Sequence, residues 1–281
     1  MDTVNPFTDS EQLKQALLER AAIKGYKQFD IDNPRTWCEK IQWLQINDDK
    51  NPIKSLCADK IKVHDYCKDK LGKDICVPIL KVYDSPNDLD FSELPQKFVL
   101  KCNHGWNMNI VVDDKDGKDR DECVEKLGAW LEVPFGLETV EPHYLSIERK
   151  CFAEKHIGTP LDYKFWCFNG RPAYCTVNSN IGENGGEHYF INWYDMNWRF
   201  VNYSRLDHSS NSKMLDKKPS RFSKMREYAA ALSADFRFVR LDFYEVDGTV
   251  YLGEMTFTPA TGFIKWRRSV DDLRLGNMLK L

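Results

Sequence analysis

Much that would announce a function is missing from this sequence. Its 281 residues hold no G-x-x-x-x-G-K-[ST] loop, no G-x-G-x-x-G turn, no H-E-x-x-H helix and no G-x-S-x-G elbow. No P-loop, dinucleotide-binding turn, zincin or serine-hydrolase site is therefore written into it. No apolar run approaches the ~20 residues needed to cross a bilayer. An excess of one charge is missing too: 40 basic against 43 acidic residues leave a net −3, and no global basic field recruits nucleic acid. Nine cysteines, an odd number, include no C-x-x-C pair. They suit a reducing compartment, as small core residues rather than a disulfide framework. The start, MDTVNPFTDSEQ, is acidic and polar, unlike a signal peptide. Repeats and low-complexity tracts are absent. We expect a cytoplasmic chain with no transmembrane segment and no nucleic-acid partner; a homodimer is left open.

What is present has two textures. Residues 8 to 75 read as mostly helical. TDSEQLKQALLERAAIKG has a cap signal at Thr8 or Ser10 and a stopping Gly25. PRTWCEKIQWLQIND repeats apolar residues at Trp37, Ile41 and Leu44 along one stripe. CADKIKVHDYCKDKLGKD predicts a third helix ending near Gly72. A short strand and a Pro/Asp-rich connection follow. From Lys97 onward strands and Gly- or Asn-containing turns dominate, broken by helices near 119–132 and 220–233. The class is α+β. The D-x-D patterns at Asp30/Asp32 and Asp88/Asp90 are of a kind that can hold a glycosyltransferase metal. Both sit in polar, Pro- or Asn-flanked loops, and we read them as solvated turns.

The stretch FVRLDFYEVDGTVYLGEMTFTPATG reads as strand, turn and strand. Val239, Leu241 and Phe243 point one way, Arg240 and Asp242 the other. A two-residue Asp247-Gly248 loop would put Asp242 and Glu254 on opposite faces. A three-residue loop, Val246-Asp247-Gly248, sets Arg240 against Glu254 and gathers Asp242, Glu254 and Thr256 on one face. It leaves Leu241, Phe243, Met255 and Phe257 on the other, so we expect this register. The pattern fits either a hairpin with one wet face or a site for a hard cation, which chooses carboxylate oxygens.

Two further stretches carry chemistry. In KFVLKCNHGWNMNIVV a strand delivers Lys101 to a turn, Asn103 to Asn107, before Ile110–Val112 returns. A lysine at a strand end beside a pliable turn suits phosphate, and equally suits a plain hairpin with an exposed Lys; His104 is read as neither ligand nor contact. In IERKCFAEKHIGTPLDYKFWCFNGRPAY, residues 152–157 are extended and a hairpin turns at Asn169-Gly170. Backbone N–H and C=O groups at 154–157 can read a planar base.

Taken in order, VLKCNHGWN, AEKHIG, DYKFW and the final hairpin resemble the ATP-grasp superfamily, in wording close to its TupA-like branch, associated with cell-surface polysaccharide and teichuronopeptide clusters. The resemblance runs roughly from Leu56 to Trp266, and the hairpin is its most specific part. It implies two α+β lobes holding ATP between antiparallel sheets: residues 1–95 as a mostly helical pre-grasp region, 96–160 as the first lobe, 161–281 as the second with the metal site. It also implies ATP and Mg2+. Lys101 would contact the phosphates, with Glu154, Lys155 and Ile157 the adenine hinge and Asp162 the ribose-binding acid. Lys164 would be a second cation near the phosphates, Asp242 and Glu254 the metal ligands, and Arg240 a neighbour of the transferred phosphoryl group. Many family members carry Asn two residues after the bridging Glu; Thr256 stands here, a weaker ligand for a second ion.

The reaction so implied is carboxylate–amine ligation through an acyl phosphate, with a small-molecule or glycan carboxylate and an amine as partners. NSNIGENGGEHYF, pliable at Gly182, Gly185 and Gly186, reads as the lid or as a plain surface loop. Rival readings are a sugar or small-molecule kinase on the same ATP site, a glycosyltransferase using the D-x-D pairs, and a non-catalytic nucleotide-binding scaffold.

Overall fold

Two antiparallel sheets carry the site. A computed structural model of the chain describes residues 6, 7, 9–48, 52–181, 188–213 and 215–281. Its helices are α1 (Ser10–Ile23), α2 (Trp37–Asn47), α3 (Pro52–Ala58), α4 (Val63–Leu71), α5 (Arg120–Glu132), α6 (Pro142–Leu145), α7 (Phe222–Ser233) and α8 (Ser269–Met278). The strands are β1 (Ile79–Tyr83), β2 (Phe98–Cys102), β3 (Asn109–Val112), β4 (Cys151–Lys155), β5 (Tyr163–Phe168), β6 (Arg171–Ile181), β7 (His188–Asp195), β8 (Phe200–Val201), β9 (Phe238–Val246) and β10 (Thr249–Thr256). The four-stranded sheet runs β1-β4-β2-β3, taking its edge strand from before residue 96; the six-stranded sheet runs β10-β9-β5-β6-β7-β8. The class is α+β, as expected.

Local chemistry explains most boundaries. The cap of α1 is Asp9, whose side chain accepts from Glu11 N at 2.8 Å; Ser10 is already helical and Thr8 lies outside the described residues. Thr36 and Glu39 form a reciprocal capping box on α2. The expected third helix is two: Asp59 accepts from Ile61 N and Lys62 N, turning the chain before α4, which ends where predicted at Gly72 with φ 68°. Asn169 and Gly170, both at positive φ, close the β5–β6 turn.

The β9–β10 hairpin corrects one expectation and explains why its consequence survives. The loop is the two-residue Asp247-Gly248 turn, with φ of 49° and 73°, and Val246 pairs with Thr249. Continued regularly, that register would part Asp242 from Glu254. A bulge between Leu252 and Glu254 shifts the pairing, so that Asp242 meets Glu254 and Arg240 meets Thr256. Gly253 makes it feasible: a Cβ there would lie 2.4 Å from the Tyr244 ring. A glycine inside a strand is the signal the sequence offered for this bulge.

The expected wet face is also corrected. One side of the six-stranded sheet packs Phe165, Leu241, Phe243, Met255 and Phe257 against α4 and α7. The other packs Trp166, Phe238 and Trp193 under α2 and α8. With both faces covered, Asp242 is only 2% exposed and Thr256 only 7%. All nine cysteines are buried and free, and among the described residues no helix is long and apolar enough to cross a membrane.

His143 on α6 illustrates what such burial costs. Burial, with the Lys54 charge, lowers its pKa from 6.5 to about 3. Between those values the unfolded chain binds a proton that the native chain refuses, so stability falls with pH. Comparing urea unfolding of the protein and His143→Gln, the native chain should lose about 1.5 kcal/mol relative to the variant between pH 6.5 and 5. An unchanged difference would mean that His143 is not held neutral.

Candidate functional site

Strand pairing assembles the centre. β5 lies beside β9, with Lys164 directly opposite Asp242. Lys164 Nζ donates to Asp242 Oδ2 at 2.6 Å and also binds Asp162. Arg240 reaches the same carboxylate in a fork, Nε to Oδ1 at 2.7 Å and Nη2 to Oδ2 at 2.6 Å. Its Nη2 also donates to Thr256 Oγ1 at 3.1 Å, and that hydroxyl donates to Glu254 Oε1 at 3.0 Å. Burial works against the Asp242 charge, but Arg240 and Lys164 outweigh it and hold the carboxyl below the ordinary range. Burial and the neighbouring Asp242 push Asp162 up to about 6. Two carboxyls with pKa values driven apart mark a functional-site candidate.

Two clefts bear on this cluster, one lined by Tyr244 of the same strand and the other by Arg240, Glu254 and Thr256. One, of about 210 Å3, is lined by Lys101, Glu154, Lys155 and Ile157 together with Gly158 and Tyr244. Lys101 on β2 and Glu154 on β4 are diagonal neighbours, opposite Phe152 and Val99 respectively, and form an ion pair. The other, of about 260 Å3, is lined by Arg240, Glu254 and Thr256, with Trp106, Glu141, Tyr144, Thr258, Ala260 and Thr261. Each residue that the family resemblance assigned to nucleotide, phosphate or metal therefore lines a cleft or joins the charge cluster. Oxygen donors on Asp242, Glu254 and Thr256 suit a hard divalent cation. Glu254 is the readier ligand, because both oxygens of Asp242 are engaged by cations.

Residues outside the sequence motifs also converge here. Lys60, in the α3–α4 turn, donates through Nζ to Gly105 O; burial lowers its pKa, and the charges of Glu254, Lys101 and Glu154 all act on it. Asp59 accepts from Asn103 Nδ2 at 2.9 Å, so this turn is latched to the β2–β3 loop. Glu141 was likewise unforeseen, and no local pattern marks it; Tyr244 was also missed, although it continues the Arg240–Asp242 alternation. His104 lines neither cleft, and burial lowers its pKa to about 4.

A larger cleft, about 800 Å3, lies between α4, α7 and the β9–β10 turn. Its polar groups are largely satisfied: His64 by Asp74 at 2.8 Å, Lys224 by Glu227 at 2.9 Å, Arg221 by Gly248 O at 2.9 Å. The D-x-D aspartates serve turns. Asp30 accepts from the Asp32 and Asn33 amides, Asp88 from Ser85 N, and Asp90 from Ser92 N. Gly182, Gly185 and Gly186 of the expected lid lie outside the described residues.

Residues 39–280 match the family model described as TupA-like ATPgrasp, and the chain belongs to that family. Among solved structures it is similar to an L-amino acid ligase from Bacillus licheniformis, at 15% identity and TM-score 0.54 over 98% of this chain and 63% of that one. It is also similar to a D-alanine–D-alanine ligase from Bacillus anthracis complexed with ATP, at 18% identity and TM-score 0.47 over 80% and 65%. At these identities the likeness is one of fold. This chain spans less than two thirds of either length. No curated protein matches it.

Proposed function

We propose that the chain is an ATP-dependent carboxylate–amine ligase that joins an amino acid or other amine to a sugar acid in cell-surface polysaccharide biosynthesis, inside the cytoplasm. The supporting observation is the charge cluster Lys164–Asp242–Arg240, joined through Thr256 to Glu254 and opening through Arg240 and Glu254 into a cleft.

In this reading the nucleotide occupies the cleft lined by Lys101, with the backbone of Glu154, Lys155 and Ile157 against adenine and Asp162 at the ribose. The lobes at 96–160 and 161–281 would close on it. Lys101 and Lys164 hold the phosphates, and Arg240 faces the γ-phosphoryl group. Asp242, Glu254 and the hydroxyl of Thr256 would hold magnesium, which supplies charge neutralisation on the phosphate oxygens. A substrate carboxylate attacks the γ-phosphorus, forming the acyl phosphate and releasing ADP. An amine, as its free base, then attacks the acyl carbon, the C–O bond to phosphate breaks, and the amide forms as inorganic phosphate leaves with the proton that the nitrogen loses. No protein nucleophile is needed, and preorganised cations do most of the work.

Hydroxylamine tests the outcome directly. With ATP, Mg2+ and a panel of sugar acids, and no amine, it should intercept the acyl phosphate as a hydroxamate while ATP is consumed. A stable phosphate ester without hydroxamate would show a kinase on the same site. In calorimetry ATP with Mg2+ should bind and UDP-sugars should not; the reverse would restore the glycosyltransferase reading.

A further inference from the structure

The cleft on the Arg240 side contains groups that the phosphoryl chemistry does not use. Glu141 is 2% exposed, and its Oε1 accepts from Thr258 Oγ1 while its Oε2 has no hydrogen-bond partner. Among the described residues no ion pair reaches it; the Arg20 charge acts on it, but Arg20 directs Nη1 to Glu138 O and its buried Nε makes no hydrogen bond. Burial raises the Glu141 pKa to about 7, against the pull of the Thr258 and nearby Thr139 hydroxyls. Thr261, lining the same cleft, has a buried Oγ1 that is also unpartnered. The wall carrying it is strained: Ala260 and Thr261 adopt φ of 53° and 58°, a conformation that non-glycine residues keep only where the surroundings enforce it. That enforcement comes from α2, where Gln42 Nε2 donates to Thr261 O at 3.1 Å and leaves no room for a Cβ on Gly262.

A carboxylate sealed from water with one oxygen unmatched is costly unless a ligand completes it. The empty position on Glu141 Oε2 accepts, and the Thr261 hydroxyl can accept as well as donate, so a cationic N–H donor completes both. We infer that this cleft is the acceptor subsite of the proposed ligase, and that Glu141 receives the primary ammonium group of the incoming amine. The inference rests on the ligase reading. At about 260 Å3 the cleft suits one amino-acid-sized or amino-sugar-sized head group, with Trp106, 48% exposed, at its edge. Its shared lining with Arg240 and Glu254 places the amine next to the centre where the acyl phosphate would form.

The test uses the full chain at pH 8, with Mg2+ and a non-hydrolysable ATP analogue, titrated with glycinamide and with its N,N,N-trimethyl counterpart. Glycinamide should bind, and the trimethyl compound, which has no N–H on its charge, should bind at least about tenfold more weakly. In Glu141→Gln, still binding the ATP analogue, glycinamide affinity should fall by a similar factor. Equal binding of the two compounds to the native chain, no glycinamide binding, or unchanged affinity in Glu141→Gln would each overturn the inference. The native-chain comparison holds even if that variant fails to fold. Failure of the ATP analogue to bind would instead remove the ligase reading.

Discussion

Glu254→Gln should lower ATP turnover about 100-fold or more while changing unfolding free energy by less than about 1 kcal/mol. Its carboxylate is half-buried and makes one hydrogen bond, from Thr256, so the amide removes a metal ligand without stranding a charge. Asp242→Asn should lose the same activity and much stability besides. Asp242 is the common partner of Lys164 and Arg240, all three in a covered site, and neutralising it leaves two cations facing each other. Breaking a buried pair in this way costs about 3–5 kcal/mol. Steady-state turnover and urea unfolding of both variants separate the two effects. Near-normal turnover of Glu254→Gln at saturating Mg2+ would remove the metal assignment. An unshifted unfolding midpoint for Asp242→Asn would refute the ion-pair account.

Gly276→Ala should destabilise the fold by about 3 kcal/mol or more, the upper end of overpacking costs. The glycine sits where α8 crosses the start of α2. An added Cβ would lie 2.2 Å from Arg35 O, 2.7 Å from Thr36 C and 2.8 Å from Trp37 N. All three are backbone atoms and cannot turn aside. The same crossing carries Lys40 Nζ bonds to Gly276 O and Leu279 O at 2.8 and 2.7 Å, and Cys38 N to Asp272 Oδ1 at 3.1 Å. These would be pulled apart with it. Gly128→Ala is the matched control: it lies within α5, its Cβ meets nothing within 4 Å, and it should stabilise by about 0.5–1 kcal/mol. Thermal unfolding of both checks the pair. A small effect at Gly276 would mean that the α2–α8 crossing is looser than the structure has it.

The Arg240–Asp242 alternation, the Lys101 strand end, the Asn169-Gly170 turn and the helix stops were legible in the sequence because each depends on residues close along the chain. Side-chain alternation, left-handed glycines and capping pairs act over a few residues, and the motifs built on them pointed to one family. The hairpin shows the limit of that reading. Its two carboxylates do share a face, but through a bulge at Gly253 rather than the three-residue loop the pattern suggested. The choice between those devices was made by the Tyr244 ring packed over Gly253, a contact no local rule contains.

What tertiary structure alone decided is the electrostatic character of the site. Asp242 looked like a residue on a wet face until β5 was placed beside β9, which sets Lys164 against it, and α2 and α8 covered part of the same face. Lys60 and Glu141 joined the site from segments about 190 and 110 residues before Glu254, where they look like ordinary surface charges. Their burial, and the pKa shifts it causes, are properties of the surrounding dielectric. That is set by which elements close over a side chain, and strand order and helix packing determine it only after the chain has folded.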